Sequence, residues 1–126
     1  MAEQNPMERG IAIVRRLFGA AAGGTPLPAD FGRMTVEHVF GNVWSRPGLA
    51  LEERSLATCA VLVALARENE QRLHFRGARN LGIPRAKLEE LITHVAHLCG
   101  LAGRRLRVPR ARRGLEDDGR GAEDLS

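Results

Sequence analysis

The chain contains a nearly continuous apolar run of 11 residues, Leu56–Ala66, close to its middle. Glu52 and Glu53 precede the run, and acidic side chains stabilise the first turn of a helix. The run is too short to cross a bilayer as a helix. It is apolar on all sides, which is typical of a helix at the centre of a protein. We therefore predict a buried helix from Leu51 to about Glu68, against which other helices pack.

Helical patterns flank this run on both sides. Asn5, Pro6 and Glu8 predict a helix start, in which Asn5 is the N-cap and Glu8 closes a capping box. Apolar residues at helical spacing predict further helices over about 29–44, over about 70–81 with Gly82 just past its end, and from Pro84 to about Gly100. No strand pattern is evident, so the sequence predicts an all-α fold built as a helical bundle.

The composition changes after Gly103. Residues 1–103 are predicted to form one helical domain. Residues 104–126 are rich in Arg and poor in apolar side chains, which predicts a poorly ordered tail. Six of the 18 Arg residues lie within 104–113 and account for most of the basicity of the tail, whereas residues 1–103 hold 12 basic and 10 acidic side chains. The predicted domain is therefore close to neutral, which does not favour a nucleic-acid-binding function.

The two cysteines, Cys59 and Cys99, lie far apart and form no CxxC motif, so the sequence predicts no disulfide framework. Cys59 lies within the apolar run and is interpreted as an inert buried thiol. Cys99 lies near a helix C-terminus, which disfavours a thiolate. The first ten residues contain acids and no apolar stretch, so we expect no secretory signal and a cytoplasmic location, with no membrane partner.

His74 is the first candidate for chemistry. Its imidazole can take or give a proton near neutral pH, and Glu70 precedes it by one helical turn. The alternative is a partly buried structural histidine, which the spacing alone favours.

Other residues carry weaker signals. His94 and His97 share a helix face with Glu90, but no third or fourth metal ligand is evident, so we predict no metal site. Trp44 and Arg46 beside a Pro-Gly turn are typical either of a pocket wall or of a packing anchor.

Several segments together resemble the carboxymuconolactone decarboxylase family. The segment 37–49 (EHVFGNVWSRPGL) resembles the stretch before the family's central helix, and 53–56 (ERSL) resembles the start of that helix. The segment 73–83 (LHFRGARNLGI) is similar to the family's signature, and 89–92 (EELI) with His94 resembles the helix that follows. The resemblance extends from Phe31 to Gly100.

This resemblance implies an all-helical fold related to alkylhydroperoxidase D, assembled as homotrimers or homohexamers. It implies decarboxylation of a lactone carboxylic acid such as 4-carboxymuconolactone, in the breakdown of protocatechuate, with no cofactor. His74 matches the signature histidine and is expected to be the acid or base, and Glu37 is expected to orient it or to move a proton. The predicted substrate-binding residues are Arg46 and Arg54, as carboxylate clamps, Trp44, as a pocket wall, and Glu70.

Two alternative functions stay open. In the peroxidase branch of this fold a CxxC motif precedes the same histidine, but Arg67 and Glu70 stand at those places, so thiol-dependent peroxidase activity is not favoured. A non-catalytic binding or assembly subunit is the other alternative. After Gly100 the chain lacks the Pro and the Ala-rich helix that the resemblance implies, and an altered reading frame is one hypothesis for this difference.

Overall fold

A computed structural model describes residues 3–19, residues 28–100 and Leu115. The prediction of an all-α fold is confirmed, because the described residues contain helices and no strand. The elements are α1 (Pro6–Phe18), α2 (Ala29–Met34), a π-helix that we call π1 (Thr35–Val43), α3 (Leu51–Ala64), α4 (Glu68–Asn80) and α5 (Arg85–Gly100). None of the described helices is both long and apolar enough to cross a membrane.

The predicted start of α1 is confirmed. The backbone N–H of Glu8 donates to the Asn5 side chain at 2.9 Å, and the Asn5 N–H donates to the Glu8 carboxylate at 3.2 Å. Pro6 occupies the first turn, where the missing N–H costs nothing. The buried stripe of the helix consists of Gly10, Ile13 and Leu17.

The predicted helix over 29–44 is present, but it changes type at Thr35. The π-helical part closes wider turns, for example through the Trp44 N–H, which donates to the Val39 carbonyl five residues earlier at 2.8 Å. A π-helix is rare and is often found at functional sites. Apolar spacing reports a helix but does not distinguish the two hydrogen-bond patterns, so the sequence prediction missed this change.

The central helix α3 ends at Ala64 and not near Glu68. Ala66 adopts a φ of 56°, its N–H donates to the Val63 carbonyl, and the Arg67 N–H donates to the Leu62 carbonyl. These two bonds form a Schellman motif, which terminates a helix. This motif was not predictable from the residues, because its left-handed position usually holds Gly.

The expectation that α3 is buried on all sides is wrong in this chain. Its buried residues, Ser55, Cys59 and Val63, form one stripe at a spacing of four. Val61 is 55% exposed, and Leu65, just past the helix, is 62% exposed. Within the described part of the chain, burial of α3 is therefore limited to this stripe.

The described chain packs as two compact units, 1–54 and 55–126, with the boundary inside α3. In the second unit α4 ends as predicted, because Gly82 takes a φ of 91° just past the helix. The core of this unit is the cluster Cys59, Val63, Phe75, Ala78, Ile83, Leu88, Ile92, Val95 and Leu115. Apart from Leu115, which is 1% exposed, the predicted tail 104–126 lies outside the described residues, as do residues 101–103, which follow α5.

In the first unit, α1 and π1 approach so closely that backbone meets backbone. A Cβ added at Gly41 would lie 2.0 Å from the Pro6 carbonyl oxygen, and one added at Gly10 would lie 2.1 Å from the Val36 carbonyl oxygen. Real Cβ atoms do not approach an oxygen this closely. Both positions therefore require Gly, and a side chain at either one must push the two helices apart.

We expect Gly41→Ala to destabilise the first unit by about 1–3 kcal/mol, since the added methyl group meets backbone that has no rotamer with which to relieve the clash. Thermal and urea unfolding followed by circular dichroism measure the change. Gly48→Ala is the matched control, because a Cβ there meets nothing within 4 Å. Equal melting temperatures for the two variants would contradict the close approach.

Candidate functional site

His74 lies in the middle of α4, beside the stripe that packs into the core. Gln71, Phe75 and Ala78 form that stripe and are buried, while His74 on the neighbouring face is half-buried. The imidazole is therefore held by a helix whose position is fixed by packing, and it keeps partial access to solvent.

A buried amide ties the start of α4 to the end of α3. The Gln71 side chain is 1% exposed, and its Nε2 donates to the Leu62 carbonyl at 2.9 Å. The same carbonyl accepts the Arg67 N–H of the Schellman motif at 3.0 Å. This pair of bonds fixes the backbone one turn before His74, in a helix whose N-terminus has no side-chain cap. Sequence reasoning missed Gln71, because a polar residue on a polar helix is usually exposed.

The environment of His74 favours the neutral imidazole. Burial lowers the pKa of His74 below its ordinary value of 6.5, and the negative charge of Glu70 one turn earlier offsets part of this shift. Desolvation disfavours the charged form of any buried group, whereas an opposite charge favours it. Near neutral pH the ring is therefore uncharged and available to accept a proton.

Two of the predicted pocket residues, Trp44 and Arg46, line one open cavity of about 330 Å³ in the first unit. Trp44 is 8% exposed, and its ring lies 5.5 Å from that of Phe40, so it is both a pocket wall and a packing anchor. Arg46 is exposed. Ser45, Leu49 and Leu51 complete this side of the cavity.

The opposite wall comes from α1 and the residues before it, namely Gln4, Arg9, Ala12 and Ile13. None of these was a candidate from the sequence. Arg9 follows the capping residue Glu8 and looks like an ordinary charged residue of a first turn. Only its long-range bonds to Gly41 and Asn42 reveal its place, and no local sequence signal reports such bonds.

Arg54 is not among the residues that line this cavity. Its Nη2 donates to the Arg46 backbone carbonyl at 2.9 Å, so it holds the loop that carries Arg46. Glu37 lies in the first turn of π1 and is half-buried. Glu37 belongs to the first unit and His74 to the second, and the predicted pairing of the two side chains stays a prediction.

The other candidates have plain structural explanations. Cys59 is fully buried, and burial raises its pKa to about 12, with the Ser55 hydroxyl lowering it in part, which bears out the interpretation as an inert thiol. His94 and His97 are exposed, and the His97 ring bonds to the Thr93 carbonyl at 2.7 Å. Within the described part of the chain, no group of three or more His, Cys, Asp or Glu residues converges.

Comparisons with known proteins identify the family of the chain. A sequence model of the carboxymuconolactone decarboxylase family matches residues 29–110. A 4-carboxymuconolactone decarboxylase from Acinetobacter baylyi is 47% identical over 72 residues, which cover 57% of this chain and 54% of that protein. The nitrosuccinic acid decarboxylase npaB from Metarhizium robertsii is 31% identical over 99 residues, which cover 74% of this chain and 69% of that protein. The chain thus spans about half the length of the bacterial relative.

We expect an NMR titration of the His74 ring to give a pKa below 6.5, and Glu70→Gln to lower this pKa further, since it removes the charge that raises it. Glu90→Gln, at an exposed position of α5, is the matched control and should leave the titration unchanged. The sign for stability follows from proton linkage. His74 binds a proton more tightly in the unfolded chain than in the folded protein. The contribution of neutral His74 to the free energy of unfolding is therefore complete above the unfolded pKa of about 6.5, and it is lost as the pH falls towards the folded pKa.

A His74→Gln variant should lose less stability than the wild type over that acidic interval. The two curves of unfolding free energy against pH are measured by urea denaturation. Parallel curves, or a His74 pKa above 6.5, would refute the desolvated environment described here.

Proposed function

Because the chain belongs to the carboxymuconolactone decarboxylase family, we propose that it is a lyase that decarboxylates a lactone carboxylic acid without a cofactor. The substrate that we propose is 4-carboxymuconolactone or a close analogue from aromatic catabolism. The proposal is carried by His74, a half-buried histidine with a lowered pKa inside the segment that resembles the family signature. The name of the bacterial relative supports the choice of substrate.

The proposed reaction requires only a few groups from the protein. The bond between the ring carbon and the carboxylate breaks, CO2 leaves, and the electron pair delocalises into the conjugated lactone and its carbonyl oxygen. A proton then returns to carbon. The protein has to orient the acid, stabilise the developing oxyanion and supply that proton.

We assign these tasks as follows. His74 transfers the proton, and Glu37 orients the imidazole or relays a proton. Arg46 and Arg54 bind carboxylates, for which a guanidinium is suited because it donates two parallel hydrogen bonds. Trp44 offers a flat apolar wall. Glu70 borders the substrate and raises the pKa of His74.

We expect purified protein to consume 4-carboxymuconolactone with release of CO2, and His74→Ala to lower kcat by about 10²–10⁴-fold, the usual contribution of a positioned acid or base. His94→Ala, at an exposed histidine on α5, is the matched control and should stay within about twofold. Nitrosuccinic acid serves as a second substrate, chosen from the name of the fungal relative. Turnover of peroxide with a dithiol donor should be absent, because the thiols of the peroxidase branch are missing.

One outcome would overturn the enzymatic proposal. If folded wild-type protein and His74→Ala are equally inactive on both acids, the binding or assembly subunit becomes the better reading. Rapid peroxide turnover would instead favour the peroxidase.

We also propose that the protein is a homo-oligomer, a trimer or a hexamer. Large apolar side chains are exposed in both units, including Phe31 and Met34 on α2 at 58% each, Leu65 just past α3 at 62% and Leu98 on α5 at 61%. Exposed apolar area of this kind is typical of a surface that another chain covers. A second copy is the occupant that the resemblance implies.

Sedimentation equilibrium is expected to give a mass that is a multiple of the 13.8 kDa chain. The double variant Val61→Glu/Leu65→Glu should lower the measured mass, because it places charge on the exposed apolar surface of α3 and of the residue just past it. Lys87→Glu, at an exposed polar position, is the control. A wild-type mass of one chain would contradict the proposal.

A cytoplasmic location is our proposal for the compartment. Cys59 and Cys99 are both free thiols. Free thiols persist in a reducing compartment, where disulfides are rare.

A further inference from the structure

Among the described residues, the cavity in the first unit is lined by two guanidinium groups and no carboxylate. Arg9 comes from α1, and Arg46 comes from the loop after π1. Of the ion pairs among the described residues, none includes either of these arginines. Two positive charges that have no ion-pair partner in the described ranges favour a negatively charged ligand in this small cavity.

Arg9 is held in place before any ligand arrives. Its Nε donates to the Gly41 carbonyl at 3.0 Å, its Nη2 to the Asn42 side chain at 3.2 Å, and its Nη1 to the Gln4 carbonyl. Within the described residues these bonds use three of the five N–H donors of the guanidinium. All three acceptors are uncharged, so Arg9 retains its positive charge. The conformational entropy of the Arg9 side chain is already lost before a ligand binds.

The rest of the lining is largely apolar. Trp44 presents its indole, and Ala12, Ile13, Leu49 and Leu51 present aliphatic surface. The volume of about 330 Å³ is at the small end of the range for ligand pockets. This combination suits a compact carboxylic acid with an apolar ring, and it is too small for a polymer or a large cofactor.

The α1 wall lies outside the family match, which begins at residue 29. One side of the cavity therefore comes from the part of the chain that matches the family. The α1 side comes from the part that precedes the match. A wall of this kind is well placed to select among related acids.

We propose that this cavity binds a small ring-bearing dicarboxylate, and that α1, through Arg9 and Ala12, determines which acid is accepted. The inference deepens the proposed decarboxylase function and rests on it for the substrate class. Arg9 and Arg46 contact carboxylates, Trp44 packs against the ring, and Ala12 leaves room for the ring.

Binding is measurable directly, because Trp44 is the only Trp in the chain and there is no Tyr. The probe is cyclopentane-1,2-dicarboxylate, which is stable, does not absorb near the indole band and has a ring of lactone size. We expect a saturable change in Trp44 fluorescence with the dicarboxylate and none with its uncharged dimethyl ester. A response to inorganic sulfate equal to that of the dicarboxylate would overturn the proposal, because charge alone would then explain binding.

Arg46→Gln is expected to raise the Kd about tenfold or more, as loss of one charge-assisted contact does. Arg9→Gln should have a similar effect, but it also breaks bonds to π1, so Ala12→Leu is the second variant. The larger side chain of this variant fills part of the cavity and leaves the bonds of Arg9 to π1 in place. Ala12→Leu should therefore abolish the fluorescence response. Arg16→Gln, exposed on the same helix and outside the cavity, should bind like wild type.

The same variants separate this inference from the proposed function. Dicarboxylate binding that depends on Ala12 and Arg46, without turnover of the lactone, would sink the decarboxylase proposal and leave the cavity assignment standing. Lactone turnover with an unchanged KM in Ala12→Leu and Arg46→Gln would overturn the cavity assignment and leave the decarboxylase proposal intact.

Discussion

The close approach of α1 and π1 at Gly10 and Gly41 is the contact on which the first unit depends. Because neither residue has a Cβ, the two backbones meet directly. The Gly41 carbonyl lies in the last turn of π1, where a helical carbonyl lacks a partner within its own helix. It accepts instead from the Arg9 Nε and from the Ser45 hydroxyl. A wider separation of the helices would remove the Arg9 bond, and with it one wall of the cavity.

Local signals in the sequence were sufficient for much of the fold. The capping box of α1 and the Gly after α4 were both predictable, because each acts on neighbours within a few residues. The end of α3 was not, since Ala66 occupies a left-handed position that sequence reasoning reserves for Gly. A non-Gly residue there is strained by about 1–2 kcal/mol, and the Schellman bonds offset that strain. Such compensation belongs to the folded chain and has no signature in the residue itself.

The candidate site was also only partly predictable from the sequence. His74 was identified through a motif, and its lowered pKa follows from burial that an amphipathic pattern already suggests. Gln71 and Arg9 were missed, although each fixes the geometry of its unit. Both are polar residues with polar neighbours in the sequence, and both act through bonds to distant backbone carbonyls, at Leu62 and Gly41. A hydrogen bond of this kind depends on which helices meet, so it becomes visible only once the chain has folded.

The charge of the proposed substrate gives the lowered pKa of His74 a chemical meaning. In the free protein burial keeps the imidazole neutral. A carboxylate that arrives beside a histidine raises its pKa, because it stabilises the charged form. In the proposed reaction the acid therefore brings about the protonation that its own decarboxylation requires. When CO2 leaves as a neutral molecule, the electron pair and the negative charge stay on the lactone as an enolate, which needs a proton. A desolvated imidazolium gives up that proton readily. Burial lowers the pKa of His74, whereas the charge of the substrate raises it. The balance of the two allows one histidine to hold a proton and then release it.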